Sequence, residues 1–177
     1  MKISKKRKGL IYKTIFILGI LLMFWEIKIY RLTIIDFIVP LSIILIVGLI
    51  TTPLALKDFQ DLFSYSKKSS LYFWTFIQST FSWGFIFCSI FMFSNYYLAS
   101  TDIKTESYII NDRSSLPGRK YHRSERKPTF KIDYNGKEKE LVFSHKYYSK
   151  MNFYKTVDLE IKKGFLGYDI LITQKLK

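Results

Sequence analysis

The sequence predicts a membrane α-helical region joined to a small β-rich domain. It reads as three transmembrane helices, then an antiparallel sheet or partly open barrel of about five strands with one short helix. Three observations carry this. From Ser69 to Thr101 the chain runs 33 residues without a charge, well above the ~18 that mark a membrane span. Two more apolar runs precede it, at about 10–25 and 37–56. Beyond Thr101 the hydrophobic period drops to two, the mark of half-buried strands. The 177 residues thus divide into a basic arm (1–9), a helical membrane region (10–101) and a soluble β-rich domain (102–177).

The arm holds Lys2, Lys5, Lys6, Arg7 and Lys8. Beside a span, such a cluster keeps its end in the cytoplasm. Leu10–Trp25 is the shortest span, with Lys13 one turn inside and its ammonium reaching back to water. Basic start and apolar core also suit a signal peptide, but Phe24-Trp25-Glu26 offers no small-residue cleavage site, so the span is read as uncleaved. Glu26–Arg31 is expected to be a short connector near the headgroups. Phe37–Leu56 is the second span, with Asp36 capping its N-terminus, Pro40 tolerated in its first turn and Pro53 ending or kinking it. Lys57–Ser70 is read as a polar connector, with Ser69 and Ser70 as caps for the next helix.

The third span, about 71–97, carries a seam. Thr75, Ser79, Ser82, Ile86, Ser89 and Phe93 are spaced 4, 3, 4, 3 and 4 residues apart, which aligns them on one helix side. Thr75, Ser79, Ser82 and Ser89 are small and hydroxylated, so they suit close helix packing in lipid. The seam is read as the packing face toward the first two spans. A polar substrate path, with Gln78 as its polar member, is the sharper alternative but not the expected one, because such sites usually carry charged or strongly polar clusters. Phe73, Trp74, Phe76, Phe81, Phe85, Phe87 and Phe91 are left to cover the rest of the helix. Cys88, the chain's one cysteine, is expected to be a small packing residue, and no internal disulfide or cysteine metal cluster can form.

Charge sets the orientation. With three spans, the first 13 residues and the Lys57–Ser70 segment share one side and hold nine basic residues, Lys13 included, against Lys28, Arg31, Lys104 and Arg113 on the other. The N-terminus is then cytoplasmic and the β-rich domain lies outside. The chain is expected to be a multi-pass protein of the plasma (inner) membrane.

In the domain, strands are expected at Glu106–Asp112, Thr129–Tyr134, Lys137–Phe143, Thr156–Lys162 and Tyr168–Thr173. Asn135-Gly136 supplies the positive φ pair of a tight hairpin, and Ser144 opens a short helix over about His145–Asn152. Acids Asp133, Glu138, Glu140, Asp158 and Glu160 alternate with apolar residues, the pattern of solvated faces. His122 and His145 have no ligand spacing. Arg113–Lys127 reads as a basic loop, and Arg119, Lys120, Arg123, Arg126 and Lys127 are the candidate contacts for a partner or for lipid headgroups. With Tyr121 and His122 they also mix bases and aromatics as single-strand nucleic-acid sites do, though nucleic acid is not the expected partner.

The segments Tyr134-Asn135-Gly136-Lys137 and Lys162-Lys163-Gly164-Phe165-Leu166-Gly167-Tyr168 resemble those of small bacterial multi-pass membrane proteins with a C-terminal β-rich domain of unknown function. The resemblance implies the general layout and no activity. A chain rich in Lys, Ile, Phe and Tyr, with Ala55 and Ala99 its only alanines, fits an AT-rich bacterial genome.

The sequence carries no Ser/His/Asp order with supporting glycines, no metal-ligand spacing and no phosphate loop. An enzyme is therefore not expected, nor a cofactor or metal. The expected function is a membrane-anchored interaction or scaffold module that displays a basic β domain: residues 102–177 hold 17 Lys/Arg against 10 Asp/Glu. Its partners would be the lipid bilayer and another membrane protein or an envelope component. The alternative is an accessory subunit of a membrane complex or transporter, packing through the third span.

Overall fold

The structure, a computed structural model, describes residues 4–63, 65, 67–118, 120 and 124–177. The chain forms two compact units. One is helical, Met1–Ser100 with Lys163–Ile170; the other is β-rich, Thr101–Lys162 with Leu171–Lys177.

In the helical unit, α1 runs Lys5–Leu32. Ser4 Oγ accepts from Arg7 N at its start, and Thr33 Oγ1 bonds back to the Ile29 carbonyl at its end. The helix therefore continues well past Trp25. Glu26–Arg31 is not a connector but two further turns of α1, because Glu26 and Ile29 are buried against neighbouring helices.

α2 spans Ile38–Leu62. The Asp36 carboxylate accepts from Ile38 N at 3.0 Å, the capping role expected of it. Pro53 lies inside α2 and does not end it. The helix goes on through Lys57 and Asp58, since Phe59 on its last turns is buried with Ala55 and Leu71. The polar connector is shorter than the sequence suggested.

The third long helix is α3 (Lys68–Ser79), a π-helical turn (Thr80–Gly84) and α4 (Phe85–Tyr97). It starts at Lys68, so Ser69 and Ser70 lie inside its first turn and do not cap it. Each of the three helices Lys5–Leu32, Ile38–Leu62 and Lys68–Tyr97 is long and apolar enough to cross a membrane.

The β unit is built on β1 (Ile103–Leu116), β2 (Lys127–Tyr134), β3 (Lys137–Val142), β4 (Thr156–Lys163) and β5 (Asp169–Leu176), in the order β3-β2-β1-β4-β5. All neighbours run antiparallel and the sheet curls into a half-barrel. β1 is much longer than Glu106–Asp112 because it serves two partners. Its first half pairs with β4, Ile103 opposite Lys162 through Ile109 opposite Thr156. Its second half pairs with β2, Ile110 opposite Ile132 through Leu116 opposite Lys127, so the expected loop loses Arg113, Ser114, Ser115 and Leu116 to β1 and Lys127 to β2. The register slips between Ile110 and Asp112, and such a bulge bends the strand and tightens its twist.

Asn135 and Gly136 take φ of 52° and 80°, the positive pair that the β2–β3 hairpin needs. Inward residues Phe130, Ile132, Leu141, Val157 and Leu159 form the core; each stabilises by about 1.5–3 kcal/mol when fully buried. A 3-10 helix, His145–Lys150, brings Tyr147 edge-on to Phe143 and Tyr154. The two edge strands are joined by a side chain: Gln174 Nε2 donates to the Val142 carbonyl at 2.9 Å.

Candidate functional site

The most unusual chemistry of the helical unit is a carboxyl group inside it. Glu26, on α1, is 6% exposed. Cys88 Sγ donates to its Oε1 at 2.9 Å and Ser89 Oγ to its Oε2 at 3.1 Å. Both donors come from α4 and are fully buried. Cys88 Sγ also lies 3.6 Å from the Pro40 carbonyl at the start of α2, so three helices meet at this group. Ile29, Ile35, Cys88 and Met92 form the adjoining apolar cluster, with Val39, Phe91 and Tyr168 packed against it. Among the described residues no Lys or Arg pairs with Glu26.

What brings these helices close enough is the absence of side chains at three crossings. A methyl group on Gly19 would collide with the Phe81 and Ser82 backbone, one on Gly84 with the Ile44 carbonyl, and one on Gly48 with the Thr80 side chain. Small residues at helix crossings have this use in lipid. The seam residues sit here. Thr75, Ser79, Ser82 and Ser89 are all buried, while Ile86 and Phe93 are only half-buried. The π turn Thr80–Gly84 lies between the two halves of the seam and breaks its regular helical spacing. The buried face runs Gly84, Cys88, Met92 and Asn95 instead of Ile86 and Phe93. Gln78 Nε2 donates to the Tyr12 carbonyl and to Ser82 Oγ, each at 3.2 Å.

At the far end of α1 a second acid is handled differently. Asp58, near the end of α2, is paired with Lys8 and accepts from Tyr12 Oη at 3.0 Å. Both members of the ion pair keep roughly a third of their side chains in solvent.

A third polar centre ends the long helix. Asn95 is fully buried. Its Nδ2 donates to the Tyr168 carbonyl and its Oδ1 accepts from Leu166 N, both at 3.0 Å, and its own carbonyl accepts from Phe165 N. The β4–β5 turn is thereby part of the helical unit. Gly167 supplies the positive φ of 89°, and Gly164 leaves room that a side chain would take from Asn95. Thr33 bridges to Ile170 on the same segment.

The basic loop fares unevenly. Arg119 and Arg123, like Tyr121 and His122, lie outside the described residues. Lys120 is in the β1–β2 turn. Arg126 Nε donates to Ser115 Oγ at 2.9 Å, and its guanidinium lies 5.9 Å from the Tyr148 ring, so it is held within the unit. Lys127 opens β2 opposite Leu116.

On the sheet, the Lys177 ammonium and then the Ser107 hydroxyl hold the Asp158 carboxyl below the usual carboxylate range. Lys175 and Thr173 do the same for Glu160. Burial pushes the Lys139 ammonium below the usual lysine range, since Lys139 shares the inner face with Leu141 and lies opposite Ile132.

The sequence reading passed over Glu26 because it set the end of the first span at Trp25. One signal was available: Glu26 is the first acid in the chain and lies three residues before Ile29, on the same helical face. Cys88 packs as expected, but it also donates to that acid. No protein-family model, curated protein or solved structure matches this chain.

Proposed function

We propose that this protein is a membrane-anchored interaction module, whose three helices hold a small basic β domain at the membrane surface. The observation that carries the reading is the turn Lys163–Ile170. It lies between two strands of the sheet, yet it belongs to the helical unit and is gripped there by Asn95. The chain passes between the two units three times, after Ser100, after Lys162 and after Ile170. A domain hung on a single tether would need one passage. The membrane would be the plasma membrane, with the N-terminus cytoplasmic. The Lys8–Asp58 pair supports that orientation, because it brings the basic arm to the end of α2 that carries Lys57 and leads into Lys67 and Lys68.

The alternative, an accessory subunit packing through the third span, has less to work with. Its contact seam of Thr75, Ser79, Ser82 and Ser89 is already covered by the chain's own helices. Lipid-facing residues such as Leu54 and Ile50 would have to serve instead. Photo-crosslinking in the native membrane separates the two readings. A crosslinker at Ile109 or Lys127 should give a macromolecular adduct, and one at Ile50 or Leu54 should give lipid only. Adducts confined to the helix positions would overturn the display reading. A reporter fused after Lys177 tests the orientation: activity on the cytoplasmic side would refute it.

A further inference from the structure

Glu26 is the buried ionisable group for which the display reading has no use. Its two oxygens are occupied by two neutral donors, Cys88 Sγ and Ser89 Oγ. Its surroundings hold other titratable groups, and each can be placed. On α1 itself, Lys28 and Arg31 are exposed and Tyr30 is half-buried in the apolar cluster. Before α2 stands Asp36, exposed and engaged with Ile38 N. α4 contributes Cys88 and Tyr96, and the β4–β5 turn contributes Tyr168. Among the described residues no cation in this set bonds to the carboxyl.

An ionised carboxylate closed off from water with no counter-charge is strongly disfavoured. A thiol and a hydroxyl soften that cost but do not cancel the charge. A neutral carboxylic acid carries no such charge: its carbonyl oxygen accepts from the Cys88 thiol, and its own O–H can donate to the Ser89 hydroxyl, which accepts as well as donates. The closed geometry therefore fits the protonated group, and an ion at this position favours any arrangement that lets water in.

We propose that Glu26 is a proton-binding site inside the helical bundle, at which uptake of a proton closes the α1–α4 contact and its release opens it. The step is an exchange with water: carboxylate and proton give carboxylic acid, no heavy-atom bond changes, and no electron moves. Cys88 and Ser89 are positioning residues, because they hold the carboxyl in place through hydrogen bonds.

Cys88 also supplies the readout, being the chain's one cysteine and in contact with the site. The full chain in lipid nanodiscs is treated with N-ethylmaleimide between about pH 6 and about pH 9. At each pH the rate is divided by that of the unfolded chain, which removes the ordinary rise in thiolate. Protection of Cys88 in the wild type should fall about tenfold or more across this range. In Glu26→Gln, which keeps the shape of the neutral acid and has no proton to lose, protection should stay level. If wild type and Glu26→Gln follow the same profile, the proposal is overturned. Should Glu26→Gln not fold, the wild type is labelled with N,N′-dicyclohexylcarbodiimide, an apolar reagent that takes up protonated carboxyls, and Glu26 is read by mass spectrometry. Labelling of Glu26 that declines as pH rises supports the site. No labelling there, or labelling indifferent to pH, overturns it.

Discussion

Two acids of the helical unit receive opposite treatment. Asp58 is met by a lysine and a tyrosine and keeps part of its side chain in water. Glu26 is met by a thiol and a hydroxyl and keeps almost none. Along α1, Lys8 and Tyr12, which contact Asp58, lie about 21–27 Å from Glu26. The first acid can stay charged with little help from the fold. The second has to be accommodated by the packing of three helices, so its removal should be felt throughout the bundle. Exposed ion pairs contribute little because water already solvates both partners. Buried polar groups matter through what is left unpaired when one is lost.

The largest effect is therefore expected at Glu26. Glu26→Ala removes the acceptor of two buried donors and leaves a cavity, and should cost about 2–4 kcal/mol. Asp58→Ala should shift the melting temperature by no more than about 2 °C, since Lys8 returns to water. Thermal unfolding of both variants in one detergent measures the contrast. Equal losses would mean that burial does not distinguish the two acids.

Asn95 comes next. Asn95→Ala strips partners from the Tyr168 carbonyl and Leu166 N and should cost about 1–3 kcal/mol. The loss should appear first as limited proteolysis within Lys163–Ile170. A turn as protease-resistant as wild type would show that Asn95 does not hold it. Ser89→Ala is smaller, about 1 kcal/mol, because Cys88 remains on the carboxyl. A loss as large as that of Glu26→Ala would make Ser89 the dominant partner.

The extent to which this was legible in the sequence follows the range of the forces involved. The three helices and the five strands rest on local periodicity, and so they were found. The Asn135-Gly136 turn and the Asp36 cap depend on neighbours within three residues, and they too were found. Helix ends were placed short at Trp25 and Leu56, because burial of Glu26, Ile29 and Phe59 by distant helices carries α1 and α2 through charged stretches. The hydroxyl-bearing seam was legible, since Thr75, Ser79, Ser82 and Ser89 are all buried. Past the π turn, Cys88, Met92 and Asn95 are buried where the spacing had placed Ile86 and Phe93, and nothing in the 4-3-4 pattern announces that change. The Glu26 site needs contacts 62 and 63 residues apart, and the Asn95 grip needs 73 and 71, separations that no local pattern encodes.

The smallest expected effect concerns a third class of acid, on the sheet. Asp158 with Lys177 and Glu160 with Lys175 tie the end of the chain to β4. Their carboxyls are held below the ordinary range by those ammonium groups. A group whose value is depressed on folding contributes stability that is complete above its unfolded value and is lost as pH falls through its folded one. The contribution should therefore be intact at about pH 5 to 7 and decline only below about pH 4, where unfolded Asp and Glu titrate. Lys175 is raised by Glu160, so its share persists until alkaline pH, lost as pH rises through its folded value. Hydrogen-exchange protection factors of β4 and β5 in the full chain should be flat from about pH 7 to about pH 5 and fall slightly near about pH 3.5. Lys175→Gln should flatten part of that fall. A decline already complete by about pH 5 would place the sensitivity in some other group, and would leave the sheet acids as solvated charges with no part in holding the last strand.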